Sequence, residues 1–581
     1  MSKFKCICLV FILPILASCA AKETATPGHG AVVPIEVEQE VDEPGDSSIP
    51  LDVVAGRVLD ESGMPLEGAV VRLQATSVHT VTDANGNFIL QGAPLEEPFR
   101  ITAYVPGYFI KEADTRAGAS GVIIVLHAHG NQDHADYPFL TAGFTGEGEG
   151  ENTGCAECHS ATAEESAQGI TLPYDEWLLD AHAQSAQNPR FLSMYHGTDL
   201  NGNQSPATVY VSQKDYGAVP LPPTLDESYF GPGFRLDFPD NPGNCAACHL
   251  PVLAINEPYG SDPNLAEGVA LEGVTCDFCH KVWDVKLNPS NGMPYPNMPG
   301  VLSFEFRRPA EGHQFFAGPF DDVAPGEDTY SALQNQSEFC APCHFGDFWN
   351  TRAYNSFGEW LASPYAETGS DSFKTCQDCH MPALGMDYFA RTDKGGLQRN
   401  PNTIFSHRMP GAVDEELLQN TAQLELKAYR QGNQIVVETS VFNDQAGHHI
   451  PTDSPLRQIF LIVQASNPDG SELPLAEGPV LPTWAGDLEN LPGIYFAKIL
   501  EQLWTEVVPT GAYWTQTRLV EDTRLPALET RETRFIFDTL DDAAVSIDAR
   551  LVFRRAFYDL MQQKDWETPD ILMEQSEVVI P

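Results

Sequence analysis

Ten cysteines and five histidines of this chain stand in one repeated frame, C-x-x-C-H. It occurs as CAECH at Cys155–His159, CAACH at Cys245–His249, CDFCH at Cys276–His280, CAPCH at Cys340–His344 and CQDCH at Cys376–His380. Three chemistries use closely spaced cysteine pairs. A tetrahedral zinc site takes two pairs, or one pair with histidines. Five pairs do not divide into such sites, and zinc gives no reason for a histidine directly after every pair. Thiol–disulfide exchange uses one C-x-x-C beside a β-α-β pattern, which this sequence lacks. The third chemistry is covalent haem c: two thiols add to the porphyrin vinyl groups and the adjoining histidine binds iron from the proximal side. The spacing is short because all three groups must meet one macrocycle. Of the 13 cysteines, Cys6, Cys8 and Cys19 lie at the N-terminus and the other ten fill the five frames, so none remains for a structural disulfide. Cys155, Cys158, Cys245, Cys248, Cys276, Cys279, Cys340, Cys343, Cys376 and Cys379 are therefore predicted to carry five haems. His159, His249, His280, His344 and His380 are predicted as their proximal ligands.

The rest of the chain must hold these frames. With 581 residues, 42% of them hydrophobic, several domains are expected rather than one core or a disordered chain. The formal net charge of −48, from 33 Lys+Arg against 81 Asp+Glu, argues against a nucleic-acid or anionic-lipid partner. Residues 51–128 alternate like strands, with an Asn-Gly turn at Asn85-Gly86, and read as a β-sandwich. Residues 129–412 are rich in Gly and Pro with few long helical periods; they read as a loop-rich, mainly α region whose interior is filled by something other than side chains. Residues 413–581 return to strand patterns, with LELKAYR and QIVVETSVF as a hairpin and a short helix within FRRAFYDLMQQ, and read as a second β-sandwich packed on the cysteine-bearing region. Residues 19–50 are an acidic, Pro- and Gly-rich tether. Residues 1–18 form a signal peptide: Lys3 and Lys5 precede an apolar run too short to span a bilayer easily.

Several segments resemble known families. Leu16-Ala17-Ser18-Cys19 is similar to the bacterial lipobox, which implies cleavage before Cys19 and its lipidation. With Ala20 and Ala21 following, it further implies an outer-membrane lipoprotein, periplasmic or surface-exposed. Gly56-x-Val58, Gly63-x-Pro65-Leu66-x-Gly68-Ala69 and Thr82-Asp83-x-x-Gly86-x-Phe88 resemble the carboxypeptidase regulatory-like domain; the implied role is a spacer or docking module, since no zinc-binding signature accompanies it. Residues 150–460 resemble multihaem c-type cytochromes related to the tetrahaem electron carrier of nitrifying bacteria. Beside the five frames, Trp177-x-x-x-x-His182-Ala183 is similar to W-x-x-S-x-H-A, with Asp180 where serine is usual. AEGHQFFAGPF at Ala310–Phe320 is similar to a histidine segment before the next frame. His407-Arg408-Met409-Pro410-Gly411 and Gly447-His448-His449-Ile450-Pro451-Thr452 resemble H-x-x-P-G and G-H-x-x-P-T, with Asp453 in place of a commoner glycine.

The resemblance implies distal iron ligands at His182, His313, His407 and His448. For the fifth iron, His196 in MYHG is preferred; His127, His129, His134, His449, Met194 and Met409 remain, as does a five-coordinate haem. The function expected is electron transfer by a cell-envelope pentahaem c-type cytochrome, with no catalytic residue of its own. Its partners would be other redox proteins, cytochromes or quinol-linked donors, and an oligomer or larger conduit is open. Membrane contact would come only through the lipid, and nucleic acid is not expected. The alternative is a multihaem oxidoreductase acting on a small nitrogen or sulfur compound at a five-coordinate haem. No frame is altered to C-x-x-C-K, the substitution that marks one nitrite-reducing class.

Overall fold

Alternation along residues 423–442 makes the clearest local structure. Strand Gln423–Gln431 turns at Gly432 and Asn433 into Gln434–Phe442, and Gln431 pairs with Gln434. Gly432 takes a left-handed φ of 61°, which a two-residue hairpin turn requires. The computed structural model of the chain describes residue 50 and residues 52–95, 98–143, 154–324, 326–539 and 542–581. The signal peptide, Cys19 and most of the tether lie outside the described residues.

The hairpin belongs to a four-stranded sheet completed by Thr530–Asp538 and Leu475–Glu477. Against it packs a five-stranded sheet in the order Thr517–Asp522, Gly493–Gln502, Gln458–Ser466, Val545–Arg554, Ile571–Ile580. Ile435, Val437, Phe535 and Phe537 of one sheet meet Ile459, Leu461, Ile547 and Leu551 of the other in a closed apolar layer. The predicted helix forms over Tyr558–Lys564.

At the other end, Val53–Asp60 lies between Asn87–Gln91, antiparallel, and Val122–Leu126, parallel. A second sheet, in the order His79–Val81, Val70–Leu73, Phe99–Tyr104, Lys111–Thr115, faces it across Val58, Val71, Leu90 and Ile101. This sandwich is tied to the cysteine-bearing region by main-chain and charged contacts. Ile110 N–H donates to Asp328 O at 2.8 Å, and Arg72 pairs with Asp321 at 2.7 Å.

The region between the sandwiches differs from the mainly α expectation. Among the described residues its longest helix is the eight-residue Pro189–His196, most others are single turns, and the rest is two-stranded ribbons and 3-10 turns. The cause is local. Each frame needs one turn of helix to bring two thiols and an imidazole together, and Pro and Gly between frames interrupt longer periods. No helix among the described residues is long and apolar enough to cross a membrane.

Candidate haem-binding site

Four of the five frames form a short helix, Ala156–His159, Ala246–His249, Cys276–Cys279 and Cys376–His380, and the fourth follows the 3-10 turn Ser337–Phe339. Threonine caps two of them. Thr275 Oγ1 accepts Phe278 N–H, and Thr375 with Asp378 forms a reciprocal capping box. Such caps fix where the single turn begins, and so the direction of the imidazole at its end.

Three of the five proximal histidines share one arrangement. His159 Nδ1–H donates to Phe389 O at 2.9 Å, His280 Nδ1–H to Ala317 O at 2.8 Å and His380 Nδ1–H to Pro410 O at 2.8 Å. His344 Nδ1 faces Asp453 Oδ2 at 3.5 Å. A carbonyl can only accept, so the proton sits on Nδ1 and Nε2 keeps its lone pair for a metal. His249 is set by packing instead, its ring stacked on Phe191 with centroids 4.2 Å apart. Burial favours the neutral ring at His159, His249, His280 and His380, pushing His249 and His380 down to about 4, whereas Asp453 raises His344. Burial also pushes the Cys245 and Cys279 thiols up to about 12.

Two of the sequence-predicted distal histidines lie opposite proximal ones. His182 faces His344 with ring centroids 6.2 Å apart, and His448 faces His380 at 6.3 Å, nearly parallel at 17°. Two imidazoles bound through Nε2 to opposite sides of one first-row metal ion, at about 2 Å each, place their centroids about 6 Å apart. His182 is positioned by its motif. Trp177 Nε1–H donates to Val274 O at 2.9 Å, Val274 N–H donates to His182 O at 3.0 Å, and Ser185 Oγ–H bridges the carbonyls of His182 and His249. Gly273, with φ 69°, lets the chain approach: a Cβ there would lie 2.4 Å from His182 O. His448 is held by Asn443, whose side chain donates to its carbonyl at 2.9 Å.

The other predicted ligands are placed differently. His407 is half-buried beside His280 and His159, with Nδ1–H on Phe405 O at 3.1 Å and its main-chain N–H on Glu176. Burial pushes it down to about 4. His196 ends the helix Pro189–His196, edge-on to Tyr195. His313 is 64% exposed with Nδ1 on Glu327 at 2.8 Å. Among the described residues no ring contact brings His196 or His313 against a proximal imidazole.

The frames also touch one another. Cys155 is in thiol contact with Cys276, Cys340 with Cys376 and Cys343 with Cys248, while Cys279 is a close neighbour of both Cys340 and Cys343. All five frames thus form one connected cluster. Among the described residues no three His, Cys, Asp or Glu side chains converge as on a bare ion. Each frame instead offers two thiols and one free Nε2, a donor set that fits an iron whose four equatorial ligands come from a porphyrin.

Sequence reasoning missed the groups behind the imidazoles, including Asp180 and Asp453. Their only signal was that both depart from the motif around them. It also missed a tyrosine pair: the Tyr354 and Tyr513 rings meet edge-on near Cys245 with centroids 5.3 Å apart, and burial pushes the Tyr513 hydroxyl up to about 12.

Residues 53–124 match the carboxypeptidase regulatory-like domain. No curated protein matches the chain. Among solved structures, the chain is similar to a penta-heme cytochrome c552 from Thermochromatium tepidum, at 20% identity over 73% of this chain and 99% of that one, with a TM-score of 0.48. A shorter likeness, at 20% identity over 13% of this chain and 58% of the other with a TM-score of 0.12, is to a type II cohesin–X-dockerin complex from Acetivibrio cellulolyticus.

Proposed function

We propose that this chain is a pentahaem c-type cytochrome of the cell envelope that passes electrons among its haems and to or from redox partners. The observation that carries the reading is the connected cluster of five frames, in which proximal imidazoles are oriented through Nδ1 and two already face a second imidazole at the separation a shared iron requires. Haem bound there would supply one-electron redox chemistry. The chain orients the imidazoles and brings adjacent frames into contact so that electrons have short paths. Paired strong ligands exclude substrate and suit a carrier. The N-terminal lipobox-like segment supports an outer-membrane lipoprotein anchored at Cys19, with other cytochromes or quinol-linked proteins as partners. The test is a pyridine haemochrome count on protein produced with a haem-attachment system, followed by rapid reduction by a soluble donor. Five haems reduced within one mixing event support the reading; zinc in place of haem, or fewer than five haems, would overturn it.

A second reading has its own observation. His249 stacks on Phe191 rather than facing an imidazole, and the Tyr354–Tyr513 pair lies near Cys245 of the same frame. An open iron there, beside buried hydroxyl proton donors, would suit reduction or oxidation of a small nitrogen or sulfur compound. A high-spin signal that shifts with nitrite, hydroxylamine or sulfite is the expected mark; a wholly low-spin, unresponsive protein would exclude it.

A further inference from the structure

The two imidazole pairs differ in what lies behind them. In the pair His380/His448, both Nδ1–H groups donate to main-chain carbonyls, Pro410 O at 2.8 Å and His449 O at 2.9 Å. In the pair His182/His344, both face carboxylates. His182 Nδ1–H donates to Asp180 Oδ1 at 2.6 Å, and the same oxygen accepts the His182 main-chain N–H at 2.8 Å. Asp180 is 4% exposed. His344 Nδ1 faces Asp453 Oδ2 at 3.5 Å, while Ser356 Oγ–H holds the other oxygen at 3.1 Å and Arg457 lies close by. Both aspartates stand where the surrounding motif usually has another residue, serine for Asp180 and glycine for Asp453. Asp453 keeps the left-handed backbone that a glycine would favour, with φ 65°. Two departures more than 250 positions apart in the chain thus converge on one pair of imidazoles.

We propose that Asp180 and Asp453 are positioning residues that act through His182 and His344 to make the haem of the fourth frame lower in potential than the haem of the fifth. The inference rests on the haem reading above. A carboxylate on Nδ1–H raises the basicity of Nε2 as a ligand. Its negative charge also favours ferric iron, which carries one more positive charge than ferrous. The step concerned is a single electron: ferric iron takes one electron from the reductant and becomes ferrous, no bond forms or breaks, and both Nδ1 protons stay in place. Arg457 offsets part of the Asp453 charge and the Asp453 contact is longer, so Asp180 has the larger effect. The position gives the difference a role. The fourth frame is a junction, with Cys343 against Cys248 and Cys340 against Cys376. A haem reduced after its neighbour at that junction keeps the electron resting on the fifth-frame haem until a partner draws it through.

The experiment is a spectroelectrochemical titration of the full-length, haem-loaded protein with dithionite, in wild type, Asp180→Asn, Asp453→Asn and the double variant. Electron paramagnetic resonance spectra are taken of each poised sample, and His182→Met serves to assign the wave. The one-electron wave that His182→Met assigns to the fourth-frame haem should lie below the fifth-frame wave and move up at least tenfold in its reduction equilibrium, 59 mV, in Asp180→Asn. The shift should be smaller in Asp453→Asn and largest in the double variant, with a change in the matching low-spin signal and the other four waves in place. No movement, or an equal movement of all five waves as a remote charge would cause, overturns the proposal. If Asp180→Asn does not fold, Asp180→Ser supplies the residue usual in the motif, and Asp453→Asn tests the other imidazole alone, since asparagine tolerates positive φ. Five haems with an unmoved fourth-frame wave defeats this proposal only; missing haems would defeat the haem reading beneath it.

Discussion

Strand Gln458–Ser466 buries its first six residues in succession, whereas helix Pro189–His196, the longest element of its kind between the sandwiches, buries three. The C-terminal sandwich is ordered by side chains packing on side chains, as the closed layer around Phe535, Leu461 and Leu551 shows. The cysteine-bearing region is ordered by contacts that converge on its frames: caps on Thr275 and Thr375, carbonyls on Nδ1, and one serine hydroxyl bridging two histidine segments. This region has a smaller apolar cluster of its own, around Phe278, Val301, Phe304 and Phe306, and a group bound to its frames would add stability in proportion to how tightly it binds the folded state. One half of this chain folds by a continuous apolar layer; the other, on the haem reading proposed above, is completed by the group its frames hold.

The largest effect should come from breaking that completion. Protein made without haem attachment, or with the cysteines of all five frames changed to serine, should lose hydrogen-exchange protection across residues 154–412. Strands of the C-terminal sandwich should keep theirs, because local stability follows buried apolar contact. Equal protection in both regions would remove the contrast. The second test acts where the two regions meet. His448→Met should raise the potential of the haem shared with His380 on the order of 100 mV, about fiftyfold in its reduction equilibrium, because methionine raises the potential relative to histidine. An unchanged spectrum would separate the sandwich from the cluster.

A third prediction concerns the packing within the cluster. Gly273→Ala puts a Cβ 2.4 Å from His182 O and 2.5 Å from Ser185 Oγ at a φ of 69°. It should cost about 2–4 kcal/mol, read by thermal denaturation, and broaden the signal of the His182/His344 pair while leaving His380/His448 unaltered. The smallest effect is expected from Thr375→Ala. Loss of the capping box should cost about 1 kcal/mol, visible in calorimetry, without moving any haem potential.

Much of this arrangement is legible in the sequence, and for physical reasons. The frames are local, so their helical turns and their thiol–imidazole geometry follow from five consecutive residues. The hairpin at Gly432-Asn433 follows from alternation and a turn that needs a positive φ. Histidines in motifs could be named as ligands, but not matched. His182 meets His344 rather than the nearer His249, because the pairing is set by how the loops fold back around Gly273 and Ser185. Helical content was overread for the converse reason: what the region needs is a turn at each frame, and nothing in the frames demands that the turn continue. Asp180 and Asp453 were visible as irregularities, yet their shared target exists only in three dimensions.

The decisive measurement is an electron paramagnetic resonance spectrum of the oxidised protein, taken alongside a pyridine haemochrome count. The expected result is five haems, with low-spin signals that include a near-parallel pair from His380/His448 and a strongly tilted pair from His182/His344, as their 17° and 66° interplanar angles require. A protein without haem, or one whose irons are all high-spin, would contradict it.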